Sequence, residues 1–463
     1  MPELPEVETV RRELEKTLVG KVFARPQVFY KPLVKTDYQS YLKGLEHSQV
    51  LRVSRKGKYL SFHLSNQHQV LFHLRMEGKL FVVDQKQHST SHLSLYIPFE
   101  NDSQALAFYD VRKFGVSYYL AENELGPLAK LGKEPSEIKD PNEVYALFHA
   151  SAKPLKELLM DQTLMSGIGN IYADEICFAS RLSPFKKGKD LSLEDCQTIL
   201  KNSQQILATA IANHGSMVRS YRASQEVSGS YQENLASYGK EGQLCETCKT
   251  FRIAKVQQGG RGTCYCPKCQ STGLTVAVTG KIGSGKSLVL SYFQEDGYLT
   301  FSADECVHRL YKDKVFLAKL RKAFPSVVGG RLRKKALTLK LVKDARFRRA
   351  YTTFINHAVI DKAYQFIIDH DGQNKALEVP LLFESGLDQA ASYLVGVETT
   401  RQKEHLEERG DKNIESRMAF NKLNSYDKNR YRLDTILTTD GTKEELKAKV
   451  DKLVNQLEAK LHG

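Results

Sequence analysis

No run of about 18 apolar residues occurs anywhere in the sequence, which excludes a membrane-spanning helix of ordinary length. A charged-then-apolar leader is missing as well, so the expectation is a soluble, cytoplasmic chain with no membrane partner. The eight cysteines are not spread as a disulfide framework. Four of them form Cys245-x-x-Cys248 and Cys266-x-x-Cys269, with Cys264 nearby, and in a reducing compartment that spacing means metal before disulfide. Cys177, Cys196 and Cys306 stand in apolar surroundings and read as small core residues. A flexible linker is also lacking: only Gln270 to Gly273 separate the last paired cysteine from a new apolar strand beginning at Leu274.

What is present is enough for two to three domains: 463 residues, 41% of them hydrophobic. The net charge of +14 suggests a polyanionic partner. Residues up to 272 hold 35 Lys and Arg against 29 Asp and Glu, and those after it 33 against 25. Both halves are therefore basic. Nucleotides or a phosphorylated cofactor in the second half fit as well as nucleic acid, so charge alone does not choose.

Short β runs fill residues 20–120: Lys21 to Ala24, His47 to Val53, Tyr59 to Leu64, Val70 to Leu74, Leu93 to Ile97 and Ala105 to Tyr109. Polar turns separate them, which predicts a β-sandwich with the helically spaced Val7 to Leu18 packed on it. From about 135 the pattern is helical. Ser192-Leu193-Glu194-Asp195 is a capping-box start, and Gly215 suits the end of that helix. Residues 215–231 are polar and irregular, long enough for a functional loop.

The opening Met1-Pro2-Glu3-Leu4-Pro5-Glu6-Val7 carries chemistry. Removal of Met1 leaves Pro2 as a free secondary amine, and an α-amino group with a pKa of roughly 7.7–8 is partly nucleophilic at neutral pH. Attack on a sugar C1′ gives an iminium, an electron sink like a lysine Schiff base. Glu3 is one residue away in sequence and could protonate the opening sugar ring. The bland alternative is a polar start to a first helix. Further along, Lys56-Gly57-Lys58 brings in a lysine, His73-Leu74-Arg75-Met76-Glu77-Gly78 lies at a strand end, and Asp110-Val111-Arg112-Lys113-Phe114-Gly115 follows another. Each could be a surface loop. Together they suit an enzyme that extrudes a nucleotide from duplex DNA and must fill the hole: Met76 and Phe114 are wedges, and Arg112 can bond the orphaned base.

Ser166-Gly167-Ile168-Gly169-Asn170 reads as a tight glycine turn between two helices, with the glycines admitting a phosphate and Asn170 as cap and phosphate donor. A purely structural helix hairpin is the alternative. Two Cys-x-x-Cys pairs at this spacing match a zinc ribbon, with four thiolates leaving no place for a catalytic water. Gly259-Gly260-Arg261-Gly262-Thr263 forms the turn between its strands and puts Arg261 at the tip, suited to gripping phosphate.

On these motifs residues 1–270 resemble the formamidopyrimidine-DNA glycosylases, bacterial enzymes that act on 8-oxoguanine. The resemblance implies a β-sandwich at 1–133, a helix-two-turn-helix DNA-binding domain at 134–235 and a zinc ribbon at 236–272. It implies that Pro2 displaces the damaged base of double-stranded DNA and that the iminium supports β- and δ-elimination. Glu3 and Glu6 would be active-site carboxylates, and Lys58 a phosphate contact and acid/base group. Met76, Arg112 and Phe114 match the void-filling trio, His73 and Asn170 the phosphate contacts, Arg261 the ribbon contact, and Cys245, Cys248, Cys266 and Cys269 the Zn²⁺ ligands. Val111 and Lys113 depart from the usual Pro and Arg, and His214-Gly215-Ser216-Met217 from a Gly-Gly-Thr-Thr type sequence, which touches base preference rather than the chemistry.

Gly280-Lys281-Ile282-Gly283-Ser284-Gly285-Lys286-Ser287 follows an apolar strand and precedes a helix, the expected context of a P-loop. Its N–H groups cradle phosphates, Lys286 reaches the β/γ oxygens, and Ser287 can hold Mg²⁺ with ATP. A strand Tyr298 to Ser302 ends at Ala303-Asp304, where a carboxylate can take a proton from an acceptor hydroxyl. A further strand carries Glu378 to Glu384, and Val395 to Val397 and Thr435 to Leu437 supply two more, predicting an α/β unit with a parallel sheet over 273–463. Arg401 to Arg409 is a charged helical segment, either a solvated face or a lid supplying cations.

Residues 274–463 resemble dephospho-CoA kinase, on the P-loop, Ser302-Ala303-Asp304, Val379 to Glu384 and Asp434 to Gly441. The resemblance implies ATP and dephospho-CoA as substrates, Asp304 as base and Arg409 as a lid arginine. Ser302, Lys334, His357-Ala358, His405, Asn421 and Thr439 depart from the usual residues. The sequence thus reads as two enzymes fused directly, as a monomer. The alternatives are a repair enzyme joined to a different or decayed P-loop nucleotide kinase, or a DNA-binding protein with ATP-regulated activity.

Overall fold

The computed structural model describes residues 2–86, 89–216, 231–328, 332–408 and 425–462. Two compact units result: Met1–Ser180 with Lys186–Ala236, and Arg181–Phe185 with Ser237–Gly463.

In the first unit, Glu3-Leu4-Pro5-Glu6 starts helix α1 (Leu4–Leu18), with Glu3 at the N-cap and the Glu6 side chain reaching back to the Glu3 N–H at 2.8 Å. Val7, Val10, Leu14 and Leu18 share one helical face and are buried in the sandwich core with Phe62, Phe72 and Phe108. That core lies between two antiparallel sheets. One has the order β1 (Gln27–Val28), β6 (Leu93–Pro98), β7 (Gln104–Tyr109), β5 (Lys79–Asp84); the other runs β2 (Val50–Lys56), β3 (Tyr59–Leu64), β4 (His68–His73), β8 (Val116–Ala121). Helix α2 (Tyr38–Leu45) packs beside them through Tyr41 and Leu45.

The sandwich matches the sequence reading, but the short strand β1 and helix α2 were not anticipated, the run His47 to Val53 becomes β2 three residues later, and other segments differ as well. Strands β5 and β8 were not anticipated; both are sheet edges, where half-exposed positions blur the alternation of apolar residues. Lys21 to Ala24 contributes only isolated bridges at Val22 and Phe23 instead of a strand.

Two turns cross between the sheets at one end of the sandwich. Residues 74–78 lead from β4 to β5, and residues 110–115 lead from β7 to β8. The register pairs His73 with Val116 and Lys79 with Tyr109, so the two turns leave and enter side by side. The β2–β3 turn, with Lys58, opens at the same end because Tyr59 pairs with His73.

Helices α3 (Pro141–His149), α4 (Leu155–Met160), α5 (Asn170–Ala179) and α6 (Leu193–Ala212) complete this unit. Ser192 caps α6 through the Asp195 N–H at 3.0 Å as its sequence dictates, and Gly215, at φ +82°, returns its N–H to Ala210.

The second unit begins with a hairpin, β9 (Ala254–Gln258) and β10 (Arg261–Tyr265). Its turn is Gly259-Gly260 alone, both at positive φ as a two-residue hairpin requires; Arg261 is therefore the first strand residue, exposed and opposite Gln258, rather than part of a five-residue turn. A five-stranded, wholly parallel sheet follows, ordered β12 (Leu299–Ser302), β13 (Lys375–Glu378), β11 (Thr275–Gly280), β14 (Tyr393–Glu398), β15 (Thr435–Thr438). The expected strand through Glu384 stops at Glu378, because Pro380 has no N–H for a ladder; Leu382–Ser385 is already helix (α12). Around the sheet run α7 (Lys286–Glu295), α8 (Ala303–Leu310), α9 (Lys314–Ala323), α10 (Lys334–Lys343), α11 (Ala345–Asp369), α13 (Gln402–Glu408) and a last helix, Lys443–His462. The hairpin shares a core with this α/β layer: Ala254, Val256 and Tyr265 cluster with Ala363, Ile367 and Leu377.

Candidate active sites

In the first unit the chemistry gathers on the turn that precedes α5. The Glu3 carboxylate is 1% exposed and accepts the N–H groups of Gly169 at 2.6 Å and Ile171 at 2.8 Å, so it sits on the N-terminus of that helix. Burial raises its pKa, opposed by the Lys58 charge and by those N–H groups. The glycines here serve Glu3 and Leu4. A Cβ on Gly169 would lie 2.4 Å from the Glu3 Cδ, and one on Gly167, which stands at φ +101°, would lie 2.4 Å from Leu4. Lys58, 5% exposed, donates to the Ile168 carbonyl at 2.8 Å, so acid and cation meet on the same turn. Pro2 is buried beside Glu3.

Glu6 is held on both oxygens. One accepts the Glu3 N–H; the other accepts the Tyr172 hydroxyl at 2.7 Å and the Ser216 N–H at 2.8 Å. The Lys58 turn is fixed by Arg55, which donates to Glu134 at 2.6 Å and to Glu8 at 3.1 Å, while Glu134 also accepts the Gly57 N–H at 2.7 Å.

His73 is buried, and its Nδ1 accepts the Arg75 N–H at 3.0 Å. Burial, with the charges of Arg75 and Lys58, pushes its pKa down to about 3, so the ring is neutral and its remaining nitrogen is a donor. Met76 (40% exposed) and Phe114 (51%) stand out from the two crossing turns, and the Arg112 guanidinium lies 5.0 Å from the Phe114 ring centre. Asp110 builds that turn by accepting the Arg112 and Gly115 N–H groups. Asn170 opens α5, and its buried Oδ1 has no hydrogen-bond partner.

In the second unit the Sγ atoms of Cys245, Cys248, Cys266 and Cys269 all lie within 4.8 Å of one another, with Cys245–Cys269 at 3.8 Å and Cys248–Cys266 at 3.6 Å. A tetrahedral ion with metal–sulfur bonds of about 2.3 Å needs sulfurs ~3.8 Å apart, so the four thiols fit Zn²⁺. Cys264 lies outside this set, near Glu241.

In the P-loop Gly283 and Gly285 stand at positive φ directly ahead of α7. Lys286 is nearly buried and donates to Lys281 O at 2.9 Å, Lys281 pairs with Asp427 at 2.8 Å, and the fully buried Ser284 Oγ has no hydrogen-bond partner. Ser287 donates to Glu378 at 3.0 Å. Asp304 is exposed in the first turn of α8, directly after β12. His405 Nδ1 lies 3.0 Å from Gly283 O, and Thr439 donates to Ser284 O. Arg409 lies outside the described residues, as do Met217 and Asn421.

Comparison with known proteins agrees with this layout. The family model for the formamidopyrimidine-DNA glycosylase N-terminal domain matches residues 1–117, and that for the H2TH domain of the same enzymes matches 131–222. A formamidopyrimidine-DNA glycosylase of Streptococcus pneumoniae is 39% identical over 274 residues, covering 58% of this chain and 99% of that protein. That of Exiguobacterium sibiricum is 40% identical over 281 residues, covering 59% and 100%. The chain belongs to the formamidopyrimidine-DNA glycosylase family. The crystal structure of the wild-type Lactococcus lactis glycosylase with DNA containing N7-benzyl-Fapy-dG is 36% identical with a TM-score of 0.55, over 58% of this chain and 99% of that one. The dephospho-CoA kinase family model matches residues 274–442, so this glycosylase carries a dephospho-CoA kinase domain on the same chain.

Four side chains in the glycosylase and kinase centres escaped the sequence reading. Tyr172, Arg55 and Glu134 hold Glu6 and the Lys58 turn, and Glu378 faces the P-loop serine. Only Glu378 left a sequence signal: a carboxylate closing an apolar strand, as a Mg²⁺-holding acid does in P-loop enzymes.

Proposed function

We propose that the glycosylase unit excises oxidised purines, 8-oxoguanine and formamidopyrimidines, from duplex DNA and then cleaves the abasic strand. The observation that carries this reading is the meeting of Glu3 and Lys58 on the Gly167–Ile171 turn next to Pro2. The Pro2 nitrogen attacks C1′ and the base departs. Glu3, whose burial favours the protonated form, gives a proton to the ring oxygen. The iminium acidifies C2′, so loss of that proton expels the 3′-phosphate, and a second elimination expels the 5′-phosphate. Lys58 steadies a flanking phosphate and moves protons during elimination, while Glu6 orients the terminus.

Neutral His73, Asn170 and Arg261 grip the backbone; Met76, Arg112 and Phe114 fill the space left by the flipped nucleotide. The four cysteines hold structural Zn²⁺. Borohydride trapping on an 8-oxoguanine duplex tests this: trapping is expected in the intact chain with the DNA linked to the Pro2 nitrogen, and absent when that amine is blocked by acylation; trapping that persists with the amine blocked overturns it.

The kinase domain transfers the ATP γ-phosphate to the 3′-hydroxyl of dephospho-CoA. Residues 280–287 bind the phosphates, Lys286 neutralises them, and Asp304 takes the hydroxyl proton. Ser287 and Glu378 would hold Mg²⁺, which spreads the developing charge. Lys286→Ala and Asp304→Asn are expected to abolish dephospho-CoA phosphorylation; unchanged turnover in either rejects its role. Among the described residues no helix is long and apolar enough to cross a membrane, and the reading is a cytoplasmic monomer.

A further inference from the structure

Residues 314–360 hold thirteen lysines and arginines and a single acidic residue, Asp344. That is twelve net charges out of a whole-chain total of +14, while the rest of residues 273–463 has twenty basic against twenty-four acidic side chains. The basic character of the kinase half is therefore confined to α9, α10 and the start of α11. Arg321, Lys322, Arg333, Lys343, Arg346 and Arg349 are exposed, and among the described residues no cation of this segment forms an ion pair with a carboxylate.

Local electrostatics account for only part of this concentration. Arg321 and Lys322 occupy the last turn of α9, and Lys340 and Lys343 that of α10, where a helix dipole favours cations. Arg346 and Arg349 stand at the N-terminal end of α11, where the dipole opposes them, and the first turn there has no acidic residue. Among the described residues fold packing uses few of the cations: Lys340 bonds Ser326 and lies over Phe347, and Arg348 bonds Leu341 O. The kinase substrates explain little more, because ATP phosphates are met at the P-loop and dephospho-CoA brings only a diphosphate.

We propose that this helical segment is a docking surface for the phosphate backbone of duplex DNA. A dense set of exposed cations without carboxylate partners is the footprint of such binding. Duplex DNA is also the polyanion that the reading above gives the glycosylase unit of the same chain as substrate, and the proposal rests on that reading. An anionic membrane is the less suitable partner. Lipid binding needs a continuous apolar face, and Phe316, Leu320, Leu337, Tyr351 and Ile355 are consumed in one core, so that among the described residues the exposed large apolar side chains of this segment are Val315 on α9 and the pair Leu339 and Val342 on α10.

The test is the salt dependence of full-length protein binding to an undamaged linear duplex. Each cation withdrawn from a phosphate lowers the slope of log K against log salt by about 0.9. The combined variant Arg321→Gln, Lys322→Gln, Lys343→Gln, Arg346→Gln, Arg349→Gln is expected to reduce the slope by about three or more, with borohydride trapping and kinase turnover kept. Lys322→Arg with Lys343→Arg keeps the wild-type slope. Should the combined variant lose kinase turnover, Lys322→Gln with Arg349→Gln replaces it, with an expected reduction of about 1.8. An unchanged slope overturns the proposal. So does an unchanged slope accompanied by weaker binding to phosphatidylglycerol vesicles, or by a raised KM for dephospho-CoA alone.

Discussion

The Tyr172 hydroxyl donates a 2.7 Å hydrogen bond to Glu6, and the other oxygen of that carboxylate receives the Glu3 N–H. Tyr172 is thereby linked through one side chain to the peptide that follows Pro2. The same Glu6 oxygen takes the Ser216 N–H. Tyr172→Phe removes a buried bond to a charged group, worth about 1.5–3 kcal/mol. Single-turnover excision is expected to fall roughly 10- to 100-fold at saturating DNA, because 1.4 kcal/mol is about one decade. Affinity for a duplex with a reduced abasic-site analogue should stay within about twofold. Equal losses in both would mean that Tyr172 only supports folding.

Gly169 offers a cleaner test of Glu3. Its φ of −126° and ψ of −154° suit any residue, so alanine there brings no backbone strain. The added Cβ instead meets the Glu3 carboxylate at 2.4 Å. Gly169→Ala should cost about 1–3 kcal/mol of stability by overpacking and at least about 100-fold in strand cleavage, read by thermal unfolding and borohydride trapping. Near-normal cleavage would show that the placement of Glu3 is not needed.

His73 sets an acid-side dependence. With a folded pKa of about 3 against an ordinary value of 6.5, the unfolded chain binds more protons between these values. The histidine contribution to stability is complete above about pH 6.5 and is lost as pH falls toward 3. His73→Gln should flatten this part of the stability profile of the N-terminal unit, measured by denaturant titration across that range. DNA affinity of the wild type should show no step near pH 6.5 from this residue.

Removing the metal should reach the kinase. Ala254, Val256 and Tyr265 of the cysteine hairpin lie in the same core as Ala363, Ile367 and Leu377. Chelation, or Cys248→Ser, is expected to lower the melting temperature of the C-terminal unit by several degrees and to weaken nucleotide binding. A melting transition of that unit indifferent to chelator would contradict the shared core.

Local rules carried the sequence reading far where neighbours in sequence decide the structure. Ser192 and Asp195 cap α6, Tyr59–Leu64 is a strand to the residue, and the two Cys-x-x-Cys pairs converge. Partnership across the chain was opaque. Tyr172 and Glu6 are 166 residues apart, and no spacing rule joins them. Gly169 was legible as a site of close approach, but the approaching group is Glu3, which only tertiary structure reveals. Edge strands β5 and β8 lack a full apolar face, and β13 was placed too far along the chain, at Glu378 to Glu384 instead of Lys375–Glu378, because the apolar run continues past Pro380 into α12.

Two separate catalytic centres on one chain form the central claim, and a paired assay on a single preparation of the intact protein tests it most directly. Borohydride trapping on a duplex with 8-oxoguanine opposite cytosine is measured beside ATP-dependent 3′-phosphorylation of dephospho-CoA, in the wild type, Lys286→Ala and Asp304→Asn. The expected result is both activities in the wild type, with phosphorylation lost and trapping unchanged in each variant. Absence of phosphorylation in wild-type protein that still traps DNA would contradict it.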